Sequence, residues 1–172
     1  MLTNTAKAGG VYKVVCHDAD GNLKWEESTH NLVVNQGLQD MNTQYFKGSS
    51  YTAAWYLGLI TGPGSGTSFT AADTLASHSG WTEFTDYSGN RKAVTFGTAT
   101  TADPSVIANS AAPSQFSITG AGGVVAGAFL CSVATGTSGI LFSASDFQSP
   151  GDRTVVSGDT LTVTYTFSLD AT

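Results

Sequence analysis

The chain has 172 residues, only seven Lys and Arg against thirteen Asp and Glu, and a formal net charge of −6. Proteins that bind nucleic acid neutralise phosphates with clustered Lys and Arg, so this balance argues against a nucleic-acid partner. Charged residues make up 12% of the chain, and Thr, Ser and Gly take their place. A chain of this length is expected to build one core.

The amino terminus, Met1–Gly10 ("MLTNTAKAGG"), is polar and without apolar periodicity. It predicts a flexible amino-terminal arm before a single β-rich domain that spans residues 11–172. The segment has no secretory signal, and the most apolar stretch, Val124–Ala134, is too short to cross a bilayer. No membrane partner is therefore predicted. Cys16 and Cys131 lie in apolar runs and are predicted to be unpaired core thiols.

Strand-like runs dominate the first third of the chain. The segment "VYKVVCHDADGNLKWEES" predicts a β-hairpin, because Asp, Gly and Asn in "DADGN" favour tight turns. "NLVV" predicts a third strand, after which Asn35 can cap the one convincing helix. "AAWYLGLI" lacks polar alternation and predicts a strand buried on both faces. Apolar residues recur along the helix at spacings of three and four: Leu38, Met41, Tyr45 and Phe46.

The second part of the chain begins with a Gly- and Ser-rich stretch, Thr61–Ser79, which predicts a long loop of the functional or mobile kind. "WTEFTDYSGNRKAVTFGTAT" then predicts a second hairpin with its turn at "YSGN". The closing run "GDTLTVTYTFSLDA" alternates apolar residues with Thr and Ser, the clearest strand pattern in the chain. Together these elements predict a mainly β fold, an antiparallel β-sandwich or jelly-roll-like domain with one short helix.

No pattern indicates catalysis or a cofactor. His17, His30 and His78 lack the spacing of metal ligands, "GPGSGTS" lacks the lysine of a P-loop, and no serine has the flanking glycines of a nucleophile elbow. Glu26 and its neighbour Glu27 point to opposite faces of a strand. A second carboxylate pair, Glu83 and Asp86, lies near Trp81 and Tyr87 and could face a sugar, but we interpret it as a solvated hairpin end. The sequence predicts no enzyme, no metal and no cofactor.

Four blocks of the sequence carry a resemblance that covers roughly Asn31 to Leu169. They are "HNLVVNQGLQDMNTQYFKGSSYTAAWYLGLI", "ADTLASHSGWTEFTDYSGNRKAVTFG", "GAFLCSVATGTSGILFSASDF" and "VVSGDTLTVTYTFSL", and the block Trp81–Phe96 is the most distinctive. The chain resembles small virion structural proteins of tailed bacteriophages, in particular capsid decoration or cement proteins. The resemblance implies a non-enzymatic oligomer on the capsid exterior, made in the host bacterial cytoplasm, with the major capsid protein as partner.

Three functions follow as hypotheses. The first is a virion structural protein, in capsid decoration or alternatively as a tail or head–tail connector component. The second is a carbohydrate-binding receptor-recognition β-sandwich that stacks Trp25, Trp55 or Trp81 on sugar rings, although Trp55 lies in the most apolar strand and is interpreted as a core residue. The third is a hydrolase, for which no residue pattern gives positive support. Self-association as a dimer or trimer is expected, because the edge strands carry few protecting charges. The predicted partner interface consists of the loop and one tryptophan: Gly62, Pro63, Gly64, Ser65, Gly66, Thr67, Ser68, Phe69 and Trp81.

Overall fold

The computed structural model describes residues 5–47, 54–61, 68–148 and 151–171. Over these residues the protein is mainly β, with antiparallel strand pairs throughout and one helix, α1 (Asn35–Lys47). The strands are β1 (Ala6–His17), β2 (Leu23–His30), β3 (Leu32–Val33), β4 (Tyr56–Thr61), β5 (Thr82–Phe84), β6 (Lys92–Ala93), β7 (Ser105–Ala108), β8 (Ser114–Ser117), β9 (Gly123–Val125), β10 (Gly127–Cys131), β11 (Leu141–Asp146), β12 (Arg153–Val155) and β13 (Thr160–Ala171).

Two main sheets form a β-sandwich-like fold, as the sequence predicted. The first, sheet A, has the strand order β2-β1-β13-β7, with β8 also paired to β13. The second, sheet B, has the order β3-β11-β10-β4-β5, with β6 also paired to β4, and β9 and β12 form a separate pair. The chain passes from sheet A to sheet B between β2 and β3, at Asn31.

Alternation along β13 sets the inner face of sheet A. Leu161, Val163 and Tyr165 are fully buried, whereas the Thr residues between them are only partly buried. These apolar side chains join a core that includes Leu57 and Leu59 of sheet B. Burial of so many side chains between two sheets supplies the main driving force for folding.

Sheet B is buried on its other face as well. Ile60 of β4 and Phe129 of β10 belong to a second apolar cluster, which the loop between β4 and β5 covers with Leu75 and Trp81. This second layer confirms the prediction that "AAWYLGLI" forms a strand buried on both faces: β4 has four consecutive buried residues, Leu57–Ile60.

The predicted amino-terminal arm is wrong for Ala6–Gly10. These residues form the first part of β1 and pair with β13, from Ala6 opposite Ala171 to Gly10 opposite Phe167. The segment pairs through its backbone with the backbone of β13, and the polar side chains of the segment do not indicate this pairing. A Cβ on Gly10 would lie 2.6 Å from the carbonyl oxygen of Thr166, so the strands approach closely here. Met1–Asn4 lie outside the described residues.

The hairpin predicted around "YSGN" is also wrong. Although "DADGN" does join β1 to β2 as predicted, β5 and β6 do not pair with each other. Both pair with β4, Leu59 opposite Phe84 and Leu57 opposite Lys92. The two short strands pair end to end along the same edge of β4, whose four central residues are buried.

Helix α1 lies where the sequence placed it, but its apolar residues do not all face the core. Its first turn packs on β11 through Gly37. Asn35, predicted as the cap before the helix, is instead the first helical residue, because the hydrogen bond from Leu38 N–H to the Val34 carbonyl already encloses it. Met41 packs against the core, whereas Tyr45 and Phe46 are 82% and 77% exposed. Two of the apolar residues at the predicted spacing therefore lie exposed at the carboxyl-terminal end of α1.

Candidate interfaces

The outer face of sheet A has an uncharged row of residues along β13. Thr160, Thr162, Thr164 and Thr166 alternate with the buried residues of β13, and all four are partly exposed. Their neighbours in β1 and β8 are mostly uncharged as well: Thr162 lies between Val15 and Gln115, and Thr166 is opposite Val11. The charged residues on this face are Lys13 and Glu26, 3.3 Å apart, and Lys7 opposite Asp170 toward the other end of β1.

Most of the predicted interface loop, Gly62–Thr67, lies outside the described residues. Of the remaining predicted residues, Ser68 is exposed, Phe69 is half-buried and Trp81 is only 2% exposed. The predicted role of Trp81 as an accessible interface residue is therefore wrong, since its ring is part of the second apolar cluster.

Three contacts hold Trp81 in place. The His78 ring stacks on it with a centroid distance of 3.7 Å and an interplanar angle of 10°. Phe129 packs at 5.3 Å on the sheet side, and the indole Nε1 donates to Asp73 Oδ2 at 3.3 Å. A tryptophan flanked by Gly, Ser and Thr is compatible with exposure or burial, so no local pattern predicts this long-range packing.

The loop that carries these residues is itself tied to the domain. Asp73 accepts from Thr70 N–H and from the Thr70 hydroxyl, at 3.2 and 2.7 Å. The Ala71 carbonyl accepts from Asn35 N–H at 2.8 Å, which links the loop to the start of α1. From residue 68 onward the loop is thus a fixed cover over sheet B.

A groove of about 410 Å³ lies beside this cover. Leu32 and Phe69 contribute apolar surface, while Ser145 and Asp146 contribute polar groups from the end of β11. Its floor is hydrogen-bonded: Ser145 Oγ donates to Thr29 Oγ1 at 2.9 Å, and Thr29 Oγ1 donates to the Asp146 carbonyl at 2.7 Å. Three segments distant in sequence form this groove, which is why sequence reasoning missed it.

The exposed end of α1 is the most apolar projection among the described residues. The Tyr45 and Phe46 rings contact each other edge to face, with centroids 4.9 Å apart and an interplanar angle of 84°. Lys47 follows as the last residue of the helix. Exposed aromatic side chains of this kind are enriched at protein interfaces.

The candidate acid pair Glu83 and Asp86 is not a solvated hairpin end, which corrects the prediction. Both Glu83 carboxylate oxygens accept from Arg91, at 2.8 and 2.7 Å, and Asp86 Oδ2 accepts from Gly122 N–H at 2.6 Å. Arg91 also donates to the Val133 and Gly136 carbonyls. Burial is the largest single effect on Arg91 and lowers its pKa, but the hydrogen bonds to Glu83 and the nearby negative charge together outweigh it, so the pKa is raised.

Glu26 and Glu27 point to opposite faces, as predicted. Glu26 is exposed beside Lys13, whereas Glu27 is buried and accepts from Arg153. Arg153 also lies over the Trp25 ring, with its Cζ 5.6 Å from the centroid. Both carboxylates therefore have partners within the chain.

Among the described residues, no three metal-ligating side chains come together. In the same part of the chain no helix is long and apolar enough to cross a membrane. The two thiols are buried and free, as predicted, and they lie in different apolar clusters. Burial raises the pKa of Cys16 to about 11 and also raises that of Cys131.

In comparisons with known proteins, no family model, no curated protein and no solved structure matches the chain significantly.

Proposed function

We propose that the protein is a non-enzymatic virion structural protein of a tailed bacteriophage that binds and stabilises the capsid shell from outside. The proposal starts from the sequence resemblance described above, which implies the major capsid protein as partner. The observation that carries it is the central part of the outer face of sheet A, where four Thr residues of β13 and two Val residues of β1 form an uncharged row, with the pair Lys13 and Glu26 beside it. Interface centres are depleted of charged residues in this way.

The distribution of basic side chains supports a contact of low charge. Arg91, Arg153, Lys24 and Lys13 are all paired with carboxylates of the same chain. Exposed charge pairs weaken as the Debye length falls from about 10 Å at 0.1 M salt to about 3 Å at 1 M, whereas apolar contacts do not. We therefore propose a shell contact that persists at high salt.

We also propose that the protein associates with itself, as a dimer or trimer, between neighbouring capsomers. A connector or tail location remains the alternative within the same structural class. The carbohydrate-binding alternative is weakened because Trp81 is buried and Trp55 packs against Phe142 in the core, with ring centroids 5.3 Å apart.

A co-sedimentation experiment tests the shell contact. Purified protein is added to particles that lack it, and bound protein is measured after washing with 0.1 M and 1 M NaCl. We expect saturable binding that survives both washes, and at least a tenfold loss of affinity for Thr162→Lys, which places a charge at the centre of the sheet A face. The matched control is Thr154→Lys, an exposed Thr to Lys change on β12.

Loss of binding at moderate salt, or equal binding by Thr162→Lys and the parent, would contradict the proposed contact. Shortening Gly62–Ser68 tests the loop as an additional contact in the same assay. Loop-closure free energy depends only weakly on length, so the fold should be kept. Reduced occupancy of the shortened protein would add the loop to the interface, and full occupancy would remove it.

A further inference from the structure

The aromatic tip of α1, defined as Tyr45, Phe46 and Lys47, is exposed among the residues that the structure describes. More than three quarters of Tyr45 and of Phe46 is exposed, so the chain leaves two large rings in water. A single exposed apolar residue needs no explanation, but two adjacent rings in edge-to-face contact form one projecting apolar surface. Such a surface is typical of a binding site for another protein.

The groove between β3, β11 and the loop has the complementary chemistry. Leu32, 38% exposed, and Phe69 offer apolar walls, and Asp146 adds a carboxylate at one end. Its volume of about 410 Å³ lies in the range of pockets that hold a compact ligand, which suits two side-chain rings. The exposed rings of the tip show that the groove does not hold the tip of its own chain.

We propose that the aromatic tip of one copy inserts into the groove of a second copy, and that the two copies do so reciprocally in a two-fold dimer. Tyr45 and Phe46 fill the apolar part of the groove, and Lys47 lies near Asp146. The charges are complementary, since the tip ends in a cation and the groove carries an anion. The inference rests on the self-association proposed above and names its contact.

The buried area predicts a weak dimer, in which the contact has to be made twice. Two inserted aromatic rings bury roughly 300–400 Å² of their own surface. The groove exposes much less surface than this, so two reciprocal insertions bury roughly 700–900 Å² in total, which is the size of a weak protein interface. A single insertion would bury about half of this area and would give a weaker, transient contact.

Sedimentation velocity from 1 to 100 µM tests this dimer. We expect the parent protein to dimerise in this range and the Tyr45→Ser/Phe46→Ser variant to dissociate at least tenfold more readily. Lys47→Glu should weaken the dimer several-fold at low salt and less at 1 M NaCl. Leu169→Ser, which removes an exposed apolar side chain on β13, is the matched control and should dimerise like the parent.

Mixing two variants tests the reciprocal arrangement. Leu32→Lys blocks the groove but leaves the tip, and the Tyr45→Ser/Phe46→Ser variant lacks the tip but keeps the groove. A mixture can form one intact contact, so it should associate more strongly than either variant alone. Thermal unfolding of each variant checks that it is folded.

Three results would overturn the inference. A parent that stays monomeric at 100 µM would refute the self-association and this contact together. A dimer that is unaffected by the tip variants would refute the contact but keep the self-association. A mixture no more associated than its components would refute tip-in-groove exchange. Because none of these measurements uses particles, each is independent of binding to the capsid.

Discussion

At the scale of single residues, the buried charge of Arg91 is held by several partners. Arg91 is 7% exposed and makes two hydrogen bonds to Glu83 and two to backbone carbonyls of residues 133 and 136. Its guanidinium also lies over the Phe129 ring at 5.2 Å. A buried ion pair is weak support for stability in itself, but loss of one partner leaves an uncompensated charge.

Glu83→Gln should therefore destabilise the protein by about 3 kcal/mol. This is the lower end of the usual cost of breaking a buried pair, because 24% of the Glu83 side chain is exposed. Urea unfolding at neutral pH measures the change. The matched control is Glu26→Gln in the exposed pair with Lys13, which should cost less than about 0.5 kcal/mol. Equal costs for the two variants would show that the Arg91 pair is not energetically special.

Buried acidic groups should make the protein sensitive to alkaline pH. Burial raises the pKa of Cys16 to about 11 and raises the pKa values of Cys131, Tyr12, Tyr87 and Tyr165. Thiols of the unfolded chain ionise near pH 9 and phenols near pH 10, so the unfolded state releases protons first. Stability should be fully present below pH 9 and fall as the pH rises above that value.

Two measurements check this dependence. The urea midpoint should change little between pH 7 and 9 and decrease between pH 9 and 11. Absorbance at 295 nm should show that the phenols of Tyr12, Tyr87 and Tyr165, three of the six in the chain, ionise only as the protein unfolds. Ionisation of all six near pH 10 in the folded protein would contradict their burial.

At the scale of elements, the sequence predicted the features that depend on residues close together in the chain. Alternation from Leu161 to Tyr165 predicted the buried face of β13, and spacing predicted α1. The partner of a short strand is a long-range property, so the pairing of both β5 and β6 with β4 was not predictable from the turn residues. The start of β1 at Ala6 was missed for the same reason.

The sheet A face and the groove also differ in whether the sequence could predict them. The partly exposed Thr residues of β13 follow directly from the period of two, so the sheet A face could have been identified from the sequence. The groove could not, because Leu32, Phe69 and Asp146 come from three separate segments. The burial of Trp81 likewise depends on contacts with His78, Asp73 and Phe129 that no local pattern encodes.

The contact between α1 and β11 gives a test at this scale. A Cβ on Gly37 would lie 2.4 Å from the Phe142 carbonyl oxygen and 3.0 Å from its Cα, both backbone atoms. Gly37→Ala gains up to about 1 kcal/mol of helix propensity. We expect this gain to be outweighed by overpacking, which costs about 1–3 kcal/mol, because α1 must move away from the sheet.

Urea unfolding of Gly37→Ala should therefore show a net loss of stability. The control is Gly9→Ala in β1, where an added Cβ has nothing within 4 Å. That substitution should be neutral or stabilising by up to about 1 kcal/mol. A more stable Gly37→Ala protein would show that the helix does not pack closely on β11.

At the scale of the whole molecule, the architecture separates two kinds of surface. Sheet A presents its Thr-bearing face on one side of the sandwich, while the groove is built from β3, β11 and the loop that covers sheet B. One copy could therefore contact a shell through sheet A and a neighbouring copy through sheet B. This division is compatible with the decoration hypothesis, in which binding to the shell and self-association use different surfaces.

On the proposal that a tailed bacteriophage encodes the chain, cryo-electron microscopy of that phage's intact virions tests the decoration hypothesis most directly. We expect density for the β-sandwich on the outside of the capsid, repeated with the symmetry of the shell, with the Thr-bearing face of sheet A against the major capsid protein. Density confined to the tail or the head–tail connector, or a mature particle without this protein, would contradict the hypothesis.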